Sequence, residues 1–251
     1  MRFMQRQGPS GDLRLAVRTF GEPTDGVPVL LVHGMATDHS TWRSLAAQCE
    51  RADRPVISVD LRGHGRSAHA PSYLLDDFRD DLRFVLDELQ VARVDVVAHS
   101  LGAQGTLRLA MADPDRIGRM VLEEIPPMPR HQADVDEGIT AGASLGETIR
   151  GIGWALLNPA PLVRFDRSMM GAVSPQFTVA DPQWWADLAE VGSPTLVISG
   201  GSRSFLPPQH LRTLSETLPD GQFTLIDAGH SVHRDRRGEF NRVVAGFLGD
   251  Q

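Results

Sequence analysis

The sequence contains no lysine and a single cysteine. All 25 basic residues are arginines, which excludes enzymes that need a lysine, such as Schiff-base and pyridoxal enzymes and P-loop proteins. Cys49 alone can form neither an internal disulfide nor a cysteine metal cluster. Much cofactor and metal chemistry is therefore excluded.

Long apolar segments and basic runs are absent as well. No stretch approaches the roughly 20 apolar residues of a membrane span, and the opening segment MRFMQRQGPSGD lacks the apolar centre of a signal peptide. The net charge is −7 without any basic run, which argues against a nucleic-acid partner. We therefore expect a cytoplasmic protein without a membrane span that acts on a small molecule. The sequence gives no indication of the oligomeric state.

Short β-branched runs alternate with amphipathic helical patterns through most of the chain. This alternation predicts an α/β fold with a mainly parallel sheet and helices on both faces. A hairpin with its turn at Gly8 to Asp12 is expected to precede the parallel strands. The predicted strands are Val29 to Val32, Val56 to Val59, Val94 to Ala98, Met120 to Leu122, Thr195 to Ser199 and Phe223 to Ile226. The predicted helices are Leu75 to Leu89, Leu101 to Ala112, Pro208 to Leu218 and Arg237 to Leu248.

The alternation fails between Pro126 and Asp187, an interval too long for a loop. We predict a core domain formed by residues 1–125 and 188–251, with residues 126–187 inserted as a helical cap. The cap is expected over the carboxyl edge of the sheet, where ligands bind in open α/β folds. Its large apolar side chains either line a substrate pocket or pack the cap against the core. They are Trp154, Phe165, Met169, Met170, Phe177, Trp184 and Trp185.

Ser100 lies at the turn between a predicted strand and a predicted helix. Small residues, Ala98 and Gly102, stand two positions away on either side, as a strained turn of this kind requires. A helix N-terminus favours the negative charge that develops when a hydroxyl attacks a carbonyl. We predict that Ser100 is a nucleophile, while the alternative is a plain helix N-cap.

Two other segments supply further parts of an acyl-transfer site. His33-Gly34-Met35 follows a buried strand, and we predict that the amides of Met35 and Leu101 form an oxyanion hole. His33 is expected to bond loop backbone rather than to act in catalysis.

The general base is predicted to be His230. It lies on a Gly-preceded loop after the last strand, a setting that favours it over His233. No carboxylate or third histidine accompanies these two at ligand spacing along the chain, so no metal is expected.

Four segments together resemble the signature motifs of the α/β-hydrolase superfamily. They are His33-Gly34, Asp60 to Ser67, Ala98 to Ala103 and Asp227 to His230. The resemblance covers nearly the whole chain except the predicted cap, and it implies an eight-stranded, mainly parallel sheet flanked by helices. It implies little about the substrate, because this superfamily includes esterases, lactonases, thioesterases, carbon–carbon hydrolases and cofactor-free haloperoxidases. Dehalogenase and epoxide hydrolase relatives carry an aspartate nucleophile, which Ser100 disfavours.

The triad acid departs from the pattern common in that superfamily. In many members it follows the strand equivalent to Thr195 to Ser199, but the segment Gly200 to Phe205 has no carboxylate. Haloalkane dehalogenases place the acid at the end of the preceding core strand, where this chain has Glu123 and Glu124. Strand alternation puts these two on opposite sides. By the resemblance to the Met-Glu-Phe-Ile pattern of that family we predict Glu123 over Glu124; otherwise both cap the strand or bind Arg203.

These expectations combine into a serine hydrolase. Ser100, His230 and Glu123 would act through an acyl-enzyme without a cofactor, on a small to medium, mostly apolar ester, thioester or lactone. One alternative is a carbon–carbon hydrolase or a cofactor-free haloperoxidase or perhydrolase with the same triad. Another is a non-catalytic, ligand-binding homologue.

Overall fold

The computed structural model describes residues 1–7, 12–21, 26–138 and 158–249. The strands are β1 (Arg2–Arg6), β2 (Leu13–Phe20), β3 (Val29–Val32), β4 (Val56–Asp60), β5 (Val94–His99), β6 (Ile117–Glu123), β7 (Thr195–Ser199) and β8 (Gly221–Leu225). They form one eight-stranded sheet in the order β1-β2-β4-β3-β5-β6-β7-β8. Strand β2 pairs antiparallel with β1 and β4, and the remaining pairs are parallel. The predicted fold class is confirmed.

Helices cover both faces of the sheet, which explains why its central strands are buried along their whole length. Every residue of β3, β4 and β5 is buried, as expected for parallel strands covered on both sides. The core helices are α1 (Arg43–Arg51), α2 (Leu75–Glu88), α3 (Leu101–Ala112), α8 (Pro208–Thr217), α9 (Val232–Asp235) and α10 (Arg237–Leu248). Helices α2 and α3 contribute to one apolar cluster, and α1 and α10 contribute to a second one.

The predicted helices agree with the structure to within one residue at either end, whereas α1 was not predicted. The predicted hairpin appears as the β1–β2 pair, but its turn lies mostly outside the described residues. Strand β6 begins at Ile117 rather than at the predicted Met120. Gly118 and Arg119 interrupt the apolar pattern, so the prediction missed the first part of this strand. A Cβ on Gly118 would lie 2.2 Å from Asp95 Oδ1, so a side chain at this position would displace the Asp95 carboxylate.

In the described parts of residues 126–187 the chain forms short helices. They are α4 (Gln132–Glu137), α5 (Ala160–Val163), α6 (Ser168–Val173) and α7 (Pro182–Leu188). The buried apolar residues of this segment belong to the same apolar cluster as the sheet; they include Phe165, Met169, Phe177, Trp184 and Trp185. Of the two alternatives for these side chains, the structure shows packing against the core. Met170 is 54% exposed, and Trp154 lies outside the described residues.

Two polar contacts fasten this segment to the core. The Tyr73 hydroxyl donates to Asp166 at 2.6 Å, and the Leu75 amide donates to Gln176 Oε1 at 3.0 Å. Across the described ranges, no helix is long and apolar enough to cross a membrane.

Candidate active site

The nucleophile candidate stands on a strained turn at the carboxyl end of β5. Ser100 has φ 51° and ψ −114°, in the left-handed region that a residue with a Cβ adopts at a cost. Close packing enforces the turn, because a Cβ on Gly102 would lie 2.4 Å from the carbonyl oxygen of His33. The Ser100 amide donates to the Glu123 carbonyl at 2.9 Å, which ties the turn to β6. Glycine at position 102 is thus a steric requirement.

His230 joins Ser100 to a carboxylate. Its Nε2 lies 3.0 Å from Ser100 Oγ, and its Nδ1 lies 3.0 Å from Glu124 Oε2. The carboxylate can only accept, so Nδ1–H donates to Glu124 and Nε2 is left to accept the Ser100 proton. This is the geometry of an activated serine.

The structure corrects the sequence-based choice of acid, since Glu124 rather than Glu123 contacts His230. Glu123 is the last residue of β6, and its carboxylate bonds His233 at 2.7 Å. Glu124 follows with φ 50°, so the two adjacent side chains leave the strand end in different directions. The comparison with the dehalogenase pattern was wrong by one residue.

The segment without a carboxylate, Gly200 to Phe205, has a different function in the site. Glu124 is fully buried and accepts hydrogen bonds from the Gly200 amide and the Ser204 hydroxyl, in addition to His230. A buried carboxylate needs such donors to offset the loss of hydration. The segment therefore supplies donors to the displaced acid. The function of Ser204 as a donor to the acid was not predicted, although the lack of a carboxylate had already drawn attention to its segment.

The loop after β3 lies against the nucleophile, as predicted for an oxyanion loop. A Cβ on Gly34 would lie 3.1 Å from the Cβ of Ser100. His33 accepts from the Leu61 amide at 3.0 Å, and His64 accepts from the Ala36 amide at 3.1 Å. Ala36 has φ 60°, so His64 holds a strained residue next to Met35. His33 thus bonds loop backbone, as expected, whereas His64 was not predicted to shape this loop.

Both loop histidines are neutral. Burial, together with the neighbouring His33, lowers the pKa of His64 to about 3. Burial also lowers the pKa of His33, although Asp60 opposes the shift. A neutral ring can accept from a backbone amide at Nε2 while it donates at Nδ1, and His64 does so to the Arg62 carbonyl at 2.9 Å. The loop is therefore fixed by rings that do not compete for the triad proton.

A second group of ionisable side chains lies behind the triad. His99, Glu123 and His233 are buried, and each offers a ligand atom within 4.8 Å of the others. Ligand spacing along the chain does not indicate this cluster, because only folding brings its three residues together. Several of its atoms have hydrogen-bond partners, whereas the buried His99 Nδ1 has none among the described residues. Glu123 accepts from the amide and Nδ1 of His233, and His99 Nε2 donates to the carbonyl of His230 at 2.7 Å.

Comparison with known proteins agrees with this architecture. A family described as "alpha/beta hydrolase fold" matches residues 27–146. The chain is 25% identical to the mouse sn-1-specific diacylglycerol lipase ABHD11 over 88% of this chain and 80% of that protein. It is 24% identical to esterase YbfF of Escherichia coli over 95% of this chain and 99% of that protein.

A solved structure shares the fold over nearly its full length. A hydrolase from Pseudomonas aeruginosa superposes with a TM-score of 0.78 at 25% identity, covering 98% of both chains. The similarity spans the sheet, the turn at Ser100 and the loop of His230. The chain therefore has the α/β-hydrolase fold, and the proteins that it resembles are enzymes.

Proposed function

We propose that the protein is a serine hydrolase that cleaves ester-type substrates through an acyl-enzyme on Ser100. The supporting observation is the hydrogen-bond chain from Ser100 through His230 to the buried Glu124. Esterase and lipase relatives favour the same class of substrate.

In the first half of the reaction, Ser100 Oγ attacks the acyl carbon while His230 Nε2 takes its proton. Glu124 orients the ring and stabilises the imidazolium that forms. The amides of Met35 and Leu101 are proposed to hold the oxyanion. Leu101 is the first residue of α3, so its N–H has no intrahelical acceptor and points out of the helix N-terminus.

The second half repeats these steps with water. His230 donates its proton to the leaving oxygen, then takes a proton from a water molecule that attacks the acyl-enzyme. Collapse of the second tetrahedral intermediate releases the acid and returns the proton to Ser100. Water is the only co-reactant that this sequence of steps consumes.

We propose a small to medium, mostly apolar acyl group as substrate. The ring of Phe205 lies 4.3 Å from that of His230, centroid to centroid, and Met35 packs against the main apolar cluster. Residues 126–187 are proposed to act as a cap over this edge of the sheet. The hydrogen bonds of Tyr73 with Asp166 and of Leu75 with Gln176 support that placement.

Labelling with a fluorophosphonate tests the nucleophile. We expect intact-mass analysis to show one adduct on the wild-type protein and none on Ser100→Ala. Ser231→Ala is the matched control, because Ser231 adjoins His230 and has no contact with the proposed triad among its described hydrogen bonds; it should label normally. A folded wild-type protein that does not label would refute the proposal and favour a ligand-binding homologue.

A series of p-nitrophenyl esters tests the substrate class. We expect kcat/KM to rise from acetate to butanoate, because a longer acyl chain buries more apolar surface. A protein that labels on Ser100 but hydrolyses none of these esters would contradict the ester assignment and favour carbon–carbon cleavage or perhydrolysis with the same triad.

A further inference from the structure

A second chain of hydroxyl, imidazole and carboxylate lies directly behind the proposed triad. Thr41 Oγ1 is 2.6 Å from His233 Nε2, and His233 Nδ1 is 2.7 Å from Glu123 Oε2. The carboxylate must accept, so Nδ1–H donates to it, and the neutral ring accepts the Thr41 proton at Nε2. The groups thus have the same order as Ser100, His230 and Glu124. Unlike the His230 ring, the imidazole and carboxylate here are sealed, since the His233 and Glu123 side chains are 3% and 0% exposed.

Glu123 connects two segments that carry catalytic groups. Its carboxylate accepts from the backbone amide of His233 at 2.9 Å as well as from the ring, so it holds the first turn of α9, which begins two residues after His230. Its carbonyl accepts from the Ser100 amide. One residue therefore fixes the nucleophile turn with its backbone and the segment after the base with its side chain.

His99 provides a third link. Its Nε2–H donates to the carbonyl of His230 at 2.7 Å, and its ring lies 4.8 Å from the His230 ring and 5.0 Å from the His233 ring. Gly34 packs against it so closely that a Cβ would lie 2.5 Å from His99 Nδ1. The His99 ring is thus held between the two other rings, and a displaced His233 would disturb it.

Glu123 remains ionised in this setting. Burial alone would raise the pKa of its carboxyl, but the neighbouring His233 and His99 and the hydrogen bonds from His233 hold the pKa below its usual value. A buried carboxylate is costly to retain and seldom adds net stability over an apolar replacement. What its hydrogen bonds provide here is a fixed geometry for α9.

From these contacts we infer that Glu123, His233 and Thr41 are positioning residues for His230, so that catalysis requires both acid–imidazole pairs. This inference rests on the proposed triad. The second chain does not touch the substrate; it keeps the His230 backbone at the distance where Nε2 reaches Ser100. Such outer partners of a functional histidine typically contribute about 10- to 100-fold in activity at metal sites.

The test compares Glu123→Gln with Asp95→Asn on the full chain. Asp95 is a matched control, because it is also a buried strand carboxylate that accepts from a backbone amide, that of Arg119, and from a cation, Arg54. It lies near the amino end of β5, away from Ser100. We expect Glu123→Gln to lower kcat about 10- to 100-fold with KM nearly unchanged, and to slow fluorophosphonate labelling. Asp95→Asn should lower the thermal midpoint while kcat stays normal.

The outcomes separate this inference from the proposed function. Wild-type protein that labels on Ser100, together with a Glu123→Gln variant of normal kcat, would overturn the inference and leave the triad in place. An equal loss of kcat and thermal midpoint in both variants would show a structural effect only and also overturn it. Failure of the wild-type protein to label would refute the triad itself.

If Glu123→Gln does not fold, Thr41→Val tests the other end of the hydrogen-bond chain formed by Thr41, His233 and Glu123. The substitution keeps the shape of the side chain and removes only the hydroxyl that bonds His233. We expect a fold comparable to wild type and a kcat lowered about threefold to tenfold, the effect of roughly one hydrogen bond. A folded Thr41→Val variant with the wild-type kcat would contradict a positioning function.

Discussion

Two acid–imidazole pairs lie side by side at the end of β6, and they differ in the hydroxyl that the second ring nitrogen contacts and in the exposure of the ring. His230 Nε2 contacts Ser100 on a strained turn, and the His230 side chain is 20% exposed. His233 Nε2 contacts Thr41, and the His233 ring is buried against Trp42. The donors and acceptors are of the same types in both pairs. Exposure of the ring and the neighbouring loop that is proposed to hold the oxyanion therefore distinguish the proposed catalytic pair from its sealed neighbour.

The largest effect that we expect concerns the open pair. Glu124→Gln replaces the acceptor of His230 Nδ1–H with a group of the same shape, which allows the wrong tautomer to form. By analogy with a classic serine protease triad, kcat should fall on the order of 10²- to 10⁴-fold. Steady-state kinetics with a p-nitrophenyl ester measures it, and circular dichroism checks the fold.

Comparison of the two glutamates sharpens this prediction. Glu123→Gln should cost less than Glu124→Gln, since it acts on His230 only through α9 and His99. The reverse order of the two losses would show that Glu123 is the functional acid, as the sequence pattern suggested. Equal and negligible losses would mean that neither carboxylate supports the base.

A smaller effect is expected from the donor that replaces the missing carboxylate. Ser204→Ala removes one hydrogen bond to Glu124, and we expect a kcat about tenfold lower, because bonds to a charged group contribute about 1.5–3 kcal/mol. Ser202 is the matched control, since it is an exposed serine of the same segment. Ser202→Ala should have the wild-type kcat. Equal rates for the two variants would show that Glu124 does not depend on Ser204.

Much of this architecture could be predicted from sequence because it is governed by local patterns. Apolar runs gave the central strands, and helical periodicity placed α2, α3, α8 and α10. The turn at Ser100 could be recognised because steric limits allow only small residues beside it. Each of these features depends on residues that are close together in the chain.

The pairing of acids with histidines could not be predicted in the same way. It depends on where β6 ends, and a shift of one residue changes the direction of each side chain. The positive φ of Glu124 occurs outside the strand, where alternation no longer applies. Contacts such as that between Thr41 and His233 join residues 192 positions apart. Only the folded chain brings them together.

The smallest expected effect concerns stability rather than rate, and it involves His99, the ring that lies between the two pairs. Burial, partly opposed by Glu123, lowers the pKa of His99 from 6.5 to about 3. Between these values the unfolded chain binds a proton that the folded chain does not, so the free energy of unfolding falls as the pH falls. The slope from this residue is about 1.4 kcal/mol per pH unit. Protonation of Glu123 affects stability only at lower pH, because the pKa of its carboxyl lies below 4.5 in the folded protein.

His99→Asn should therefore reduce the pH dependence of stability between pH 6 and pH 5. Asparagine keeps an N–H donor for the His230 carbonyl but has no proton to gain in this range. Urea unfolding at both pH values gives the difference for the wild-type protein and the variant, and the variant should lose about 1.4 kcal/mol less on acidification. His64 also has a pKa of about 3, so some dependence should remain in the variant. An unchanged difference would mean that the ring between the two pairs is able to take up a proton in the folded protein, and that the sealed pair is less isolated from solvent than its burial indicates.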